Sequence, residues 1–208
     1  MLSTAVEMYG KSYGLLVNHG ETQHSQKIPL AWEVEVEVLE AIKTRRSIRR
    51  FKKEPVSPDL IEKLLEAGRW APSSANTQPW EFIVITDTEI KKRISRSFNF
   101  GPFLNEAPLA IAVVVDRLWT ALPIQDGSLA AYAIWLAAHS LGLGACWINP
   151  NIPGGINKIL SIPLTKKLIT IMAIGYAAEA PVKTRRNLSD FVYFEKHGNK
   201  KGPITLKK

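Results

Sequence analysis

The sequence predicts a single α+β or α/β domain, and three observations carry that reading. Segments of helical period alternate with short apolar segments of strand length from about residue 39 onward. Gly, Pro, Asn and Ser punctuate them at short intervals, with no internal repeat or low-complexity linker. The 208 residues, 46% hydrophobic and 22% charged, have the composition of a globular chain and the length of one domain.

The elements follow in order. Residues 1–31 are polar and show no sustained period of 2 or 3.6, so they are expected to form a weakly ordered extension ahead of one domain over 32–208. Residues Trp32 to Val38 alternate apolar and acidic, as a half-buried strand would, and Leu39-Glu40-Ala41-Ile42 opens a helix. Ser57-Pro58-Asp59 is a helix start: a capping hydroxyl, a proline with preset φ, and an acid at the positive helix end. Leu60, Ile61, Leu64 and Leu65 form the apolar face of that helix. Trp80 to Thr86 predicts a strand, Thr88 to Phe98 a basic amphipathic helix, and Ala110 to Val115 a buried strand. Ser128 to Leu141 reads as a helix apolar on nearly every face, which requires burial all round. Leu168 to Ala173 predicts another central strand.

Composition excludes several classes. A single cysteine, Cys146, precludes an intrachain disulfide and fits a reducing compartment. The first residues carry no signal-peptide core, so a cytoplasmic location is expected. Residues 127–157 contain no charge, but Gly-Leu-Gly, Asn-Pro-Asn and Pro-Gly-Gly break them into pieces too short to cross a bilayer. The net charge of +8 is concentrated in residues 45–53 and 183–208. Those segments suit nucleic acid, a membrane surface or a phosphorylated small molecule, or are simply solvated charge.

Familiar catalytic templates are missing. The four histidines, His19, His24, His139 and His197, show neither HExxH nor zinc-site spacing, so no metal is expected. His139 reads as a satisfied core residue and Cys146 as packing. Gly142-Leu143-Gly144 follows a helix rather than a strand, unlike a dinucleotide fingerprint.

Three polar clusters remain. Thr44-Arg45-Arg46-Ser47-Ile48-Arg49-Arg50-Phe51 offers forked guanidinium donors and a hydroxyl, which suit phosphate oxygens but equally a nucleic-acid patch or a solvated turn. Pro72-Ser73-Ser74-Ala75-Asn76-Thr77-Gln78-Pro79 is a rigid loop of hydroxyls and amides between Trp70 and Trp80, fitted to a flat heterocycle or to turning the chain. Lys183-Thr184-Arg185-Arg186 supplies a second set of cations beyond the last strand.

In order and spacing, these clusters resemble the FMN-dependent nitroreductase family over residues 38–195. The resemblance rests on Arg-Arg-Ser-x-Arg-x-Phe, Pro-Ser-Ser-x-Asn-x-Gln-Pro-Trp, Gly-Leu-Gly with Cys-Trp-Ile, and the late Gly-Tyr and Lys-x-Arg. It implies a three-layer α/β/α fold with a mostly antiparallel sheet and FMN at a homodimer interface. It also implies NAD(P)H as hydride donor and a nitroaromatic or quinone acceptor, in ping-pong order. By resemblance, Arg45, Ser47, Lys183 and Arg185, joined by Arg46, would hold the FMN phosphate. Arg49 would face the pyrimidine edge of the flavin. Pro72, Ser73, Ser74 and Asn76 would reach the partner's flavin, and Trp147, Ile148 and Asn149 would pass near N5. Asn149-Pro150 departs from the acid-Gly or Gly-Gly often seen there. The hydride chemistry would belong to the cofactor, which accounts for the lack of a protein acid, base or nucleophile in the sequence. The rival readings are a basic nucleic-acid-binding module and a flavin binder without turnover. Against the first, no RNP, zinc-finger or helix-turn-helix pattern is present.

Overall fold

The computed structural model describes residues 38–97, 103–149 and 155–206. The proposed 1–31 extension and the alternating segment up to Glu37 lie outside them. Val38, placed in a strand by its alternation, is instead the first residue of helix α1 (Val38–Thr44).

Helix α2 (Pro58–Arg69) starts as expected: Ser57 Oγ accepts the Leu60 N–H and Pro58 occupies the first turn. Strand β1 (Trp80–Ile85) leads to α3 (Thr88–Arg96), capped by the Asp87 carboxylate on the Ile90 N–H. That helix ends at Arg96, short of the predicted Phe98. The short α4 (Phe103–Glu106) precedes β2 (Leu109–Asp116). Helix α5 (Pro123–Ser140) begins five residues before the predicted Ser128, with proline in its first turn. Strand β3 (Gly144–Ile148), short α6 (Ile156–Ile159) and β4 (Lys166–Gly175) complete the body, and a 3₁₀ turn (Leu188–Asp190) follows.

The four strands form one antiparallel sheet in the order β1-β2-β4-β3. Period-2 alternation splits β2 cleanly: Leu109, Ile111, Val113 and Val115 face one core, and Ala110, Ala112 and Val114 the other. The first core is closed by α2 and α5, through Leu64, Ala130, Ile134 and Ala138. The second is closed by the side carrying Ile94, Leu104 and Ile156. The result is three layers with a sheet buried on both faces, which explains why β2 and β4 read as continuous apolar runs. A register shift between Val113 and Val114 breaks this alternation in β4, so that Ile169 and Ile171, two residues apart, are buried in different cores.

Helix α5 lies close on the sheet because Gly127 carries no side chain: a Cβ there would stand 2.5 Å from Ile169 Cγ1. Its other end closes in a Schellman motif, with Leu143 N–H on Ala138 O (2.8 Å), Gly142 N–H on His139 O (3.1 Å) and Gly142 at φ +76°. Burial all round α5 is not what the structure shows. Leu129 and Tyr132 remain 44% and 38% exposed, so one apolar face of the helix is left uncovered. None of the described helices is long and apolar enough to cross a membrane.

Candidate functional site

Residues 45–51 leave α1 as a segment pinned between two neighbours. The Ile48 N–H donates to Ala145 O (3.1 Å), with a parallel bridge from Ser47 to Ala145. Further on, the Lys52 N–H donates to Tyr176 O (2.8 Å) and Ala178 N–H to Arg50 O (2.9 Å). The approach is tight because Gly144 is a glycine: a Cβ there would lie 2.7 Å from Ile48 Cγ1.

Arg45 is the centre of this segment. Its guanidinium lies 4.0 Å from the Trp135 ring centroid, and its Nε and Nη1 atoms are buried with no hydrogen-bond partner. Burial holds the Arg45 pKa below its ordinary value; Tyr132 pulls it up, while Arg185 and Arg46 push it down. The structure thereby brings Arg185 beside the consecutive Arg45 and Arg46, which lie far from it in sequence. Arg46 Nη1 turns back to donate to Lys43 O (2.6 Å) and Arg45 O (2.9 Å). Ser47 is half-buried, and Lys183 is exposed two residues before Arg185. Like charges gathered around unspent donors form an arrangement that an anion relieves.

Arg49 is exposed, 6.0 Å from the Phe103 ring. Its backbone N–H and that of Arg50 both donate to Glu179 Oε1, at 2.5 and 3.2 Å. Arg49 and Glu179 also flank the Cys146 thiol. Burial pushes that thiol's pKa up, and the two flanking charges act in opposite directions. Cys146 is packing, as its apolar surroundings in sequence suggest.

A cavity of about 500 Å³ opens beside this segment, within the size range of ligand sites. Thr44, Arg46, Trp135, His139, Glu179 and Val182 are among its walls. Thr44 Oγ1 donates to Glu40 O (2.7 Å), so its contact with His139 Nε2 (2.7 Å) uses an Nε2–H of the imidazole. His139 is satisfied, as the sequence suggested, but it stands at a cavity wall rather than in the core. Burial, then Arg45 and Arg46, hold its pKa below the ordinary histidine value.

The second cluster is a strained loop. Ala75, Asn76 and Gln78 all have left-handed backbones, at φ 48°, 55° and 49°. Ser73 Oγ accepts the Gln78 N–H (2.9 Å), Asn76 N–H bonds Ser73 O and Thr77 N–H bonds Ser74 O. Pro72 precedes the turn. The Ser74 N–H leaves the loop to reach Asp126 Oδ1 (3.0 Å) in the first turn of α5. Asp126 and Trp135 are nine residues apart, about 13 Å of helix rise, so this loop and Arg45 meet α5 at separate places.

Trp147 and Ile148 end β3, and Asn149 follows it. Trp147 is half-buried, Ile148 is buried with its carbonyl taking the Thr170 hydroxyl (2.9 Å), and Asn149 is exposed. Trp147 and Asn149 line a smaller cavity of about 270 Å³ with Ile124, Ser128 and Lys167.

Sequence reasoning missed Asp126, Trp135 and Glu179. For Asp126 a signal existed, an acid in the first turn after Pro123. The other two gain their places only from the tertiary fold. Among the described residues, the buried side-chain polar atoms without partners are Arg45 Nε and Nη1, Trp135 Nε1 and Thr77 Oγ1. All belong to the Arg45–Trp135 pair or to the 72–78 loop.

A model of the nitroreductase family matches residues 42–116 and 95–176, which include the Arg45 segment, the loop, α5 and the sheet. The chain belongs to the nitroreductase family. A Methanothermobacter thermautotrophicus relative, provisionally named an NADH dehydrogenase/NAD(P)H nitroreductase, is 40% identical over 153 residues, covering 70% of this chain and 80% of that protein. An iodotyrosine deiodinase of Thermotoga neapolitana is 31% identical, with 70% and 91% covered. Among solved structures, an FMN-dependent nitroreductase of Clostridium difficile R20291 superposes with a TM-score of 0.70 at 36% identity, over 76% of this chain and 99% of that one.

Proposed function

We propose that this chain is an FMN-dependent oxidoreductase, taking electrons from NAD(P)H and passing them to a small acceptor such as a nitroaromatic or a quinone. The observation that carries the reading is Arg45. A buried guanidinium with two unspent donors, beside Arg46 and Arg185, fits a phosphate oxygen better than any neutral partner. FMN, on which the Clostridium nitroreductase depends, fits the same donor set.

When bound, FMN supplies the two-electron chemistry, so the protein needs no nucleophile of its own. The protein's part is binding and orientation. Arg45 and Arg185, with Ser47, Arg46 and Lys183, would hold the phosphate. Arg49, its backbone fixed by Glu179, would place positive charge at the pyrimidine edge. Trp147, Ile148 and Asn149 would run along the N5 side. Pro72, Ser73, Ser74 and Asn76 would contact FMN held by a second copy of the chain. The separation of this loop from Arg45 along α5 supports that sharing, and so does the uncovered face carrying Leu129 and Tyr132.

Purified protein is expected to be yellow, to elute as a dimer by light scattering, and to oxidise NAD(P)H when a quinone is added. A colourless chain that fails to quench FMN fluorescence on titration would overturn the reading. Yellow protein without turnover would leave a flavin binder. Sequence-specific nucleic-acid binding that survives moderate salt would favour the basic-module alternative.

A further inference from the structure

We infer that Asp126 is a positioning residue: it sets the conformation in which the 72–78 loop meets the flavin. This rests on the FMN reading above, but the geometry behind it belongs to the chain alone.

Asp126 is only 2% exposed. One carboxylate oxygen accepts the Ser74 N–H at 3.0 Å and the other accepts the Thr120 hydroxyl at 2.6 Å. The Thr120 oxygen in turn accepts the Leu122 N–H at 2.9 Å, so the chain entering α5 is tied into the same network. Buried carboxylates demand such partners, and Asp126 has spent one of its two on a loop 52 residues away in sequence.

What the tie holds is a loop that resists its own shape. Ala75 sits at φ 48° and ψ 24°, a region that side chains with a Cβ disfavour and that alanine has no polar group to offset. Hydrogen bonds inside the loop close the turn without fixing where it stands. Asp126 fixes that, because the residue after it, Gly127, is seated against Val115 and Ile169 of the sheet. The loop is therefore referenced through one carboxylate to a helix turn packed directly on the sheet. The buried Thr77 hydroxyl, without a partner of its own, shows hydrogen-bonding capacity in the loop that its internal bonds leave unspent.

The test compares Asp126→Asn with Asp126→Ala, reading amide hydrogen exchange at Ser74 in the flavin-free chain and affinity for added FMN. Asparagine keeps an oxygen able to accept the Ser74 N–H but loses the charge at the helix start; alanine loses both. The tether predicts that Asp126→Ala exposes the Ser74 amide and weakens FMN by about tenfold or more. It predicts that Asp126→Asn keeps protection and affinity near those of the unsubstituted chain. Adding Ala75→Gly to Asp126→Ala is expected to recover part of the affinity, since glycine takes the left-handed backbone without strain. A role confined to helix stability would lower thermal midpoints in both variants and make their FMN affinities fall together, which would overturn the inference. Unaltered Ser74 exchange in Asp126→Ala would overturn it as well. If the unsubstituted chain binds no FMN while Ser74 protection still depends on Asp126, the FMN reading falls and the tether stands.

Discussion

At the scale of single residues, Arg45 and Arg49 differ in what surrounds them, and the difference is measurable. Arg45 is half-buried over Trp135 with unspent donors, whereas Arg49 is exposed with its backbone held by Glu179. Phosphate carries the same charge in oxidised and reduced FMN, so Arg45→Ala is expected to weaken both forms alike, by about 1.5–3 kcal/mol. Charge at the pyrimidine edge appears only on reduction, so Arg49→Gln is expected to lower the flavin midpoint potential. About 30 mV would correspond to ~1.4 kcal/mol of differential stabilisation. Potentiometry on both variants checks the pair, and a shift confined to Arg45→Ala would reverse the assignments. His139 makes a separate prediction. Its folded pKa lies below the ordinary 6.5, so protonation favours the unfolded chain, and stability should fall as pH drops through 6.5 toward the folded value. Glu66, whose carboxyl is held down to about 2 by its hydrogen bonds from Arg69 and Trp70, loses its contribution only below about 4.5. Thermal melts between pH 7.5 and 5 should therefore show a slope that His139→Gln flattens.

At the scale of elements, glycines set the spacing between α5 and the sheet. A Cβ at Gly127 would meet Ile169 Cγ1 at 2.5 Å and Val115 Cγ2 at 2.8 Å, both fully or nearly buried and without room to yield. Gly127→Ala is expected to cost about 1–3 kcal/mol by overpacking, read as a lower urea midpoint at unchanged slope. Elements with strong period or caps were legible from sequence: α2 through Ser57-Pro58, and β2 through its apolar run. Strand β3 was not, because Gly144-Ala145-Cys146 lacks β-branched residues and follows directly on the Gly-Leu-Gly turn. The start of α5 was missed because Gln125, Asp126 and Gly127 interrupt the apolar pattern, although Pro123 marks the first turn. The arginine and Pro-Ser-Ser segments of the candidate site could be singled out from local sequence and resemblance. Trp135 and Glu179 could not, since their places depend on which segments the tertiary fold sets against them.

At the scale of the whole molecule, every segment proposed for the site lies at or beyond Thr44. A chain beginning at Val34 is accordingly expected to bind FMN and oxidise NAD(P)H like the full one; a colourless or aggregated product would show that the upstream residues are structural. The lone Cys146 has a different use. It is 2% exposed in β3, its thiol is made less acidic by burial, and the sequence holds no second thiol to confuse the signal. Alkylating reagents can reach it only when the strand opens. With fast reclosing, the labelling rate divided by that of a free thiol reports the free energy of this opening under native conditions, with no denaturant. Bound flavin should slow the labelling if opening disrupts its site, so the chain carries its own clock for how firmly its ligand holds the sheet edge shut.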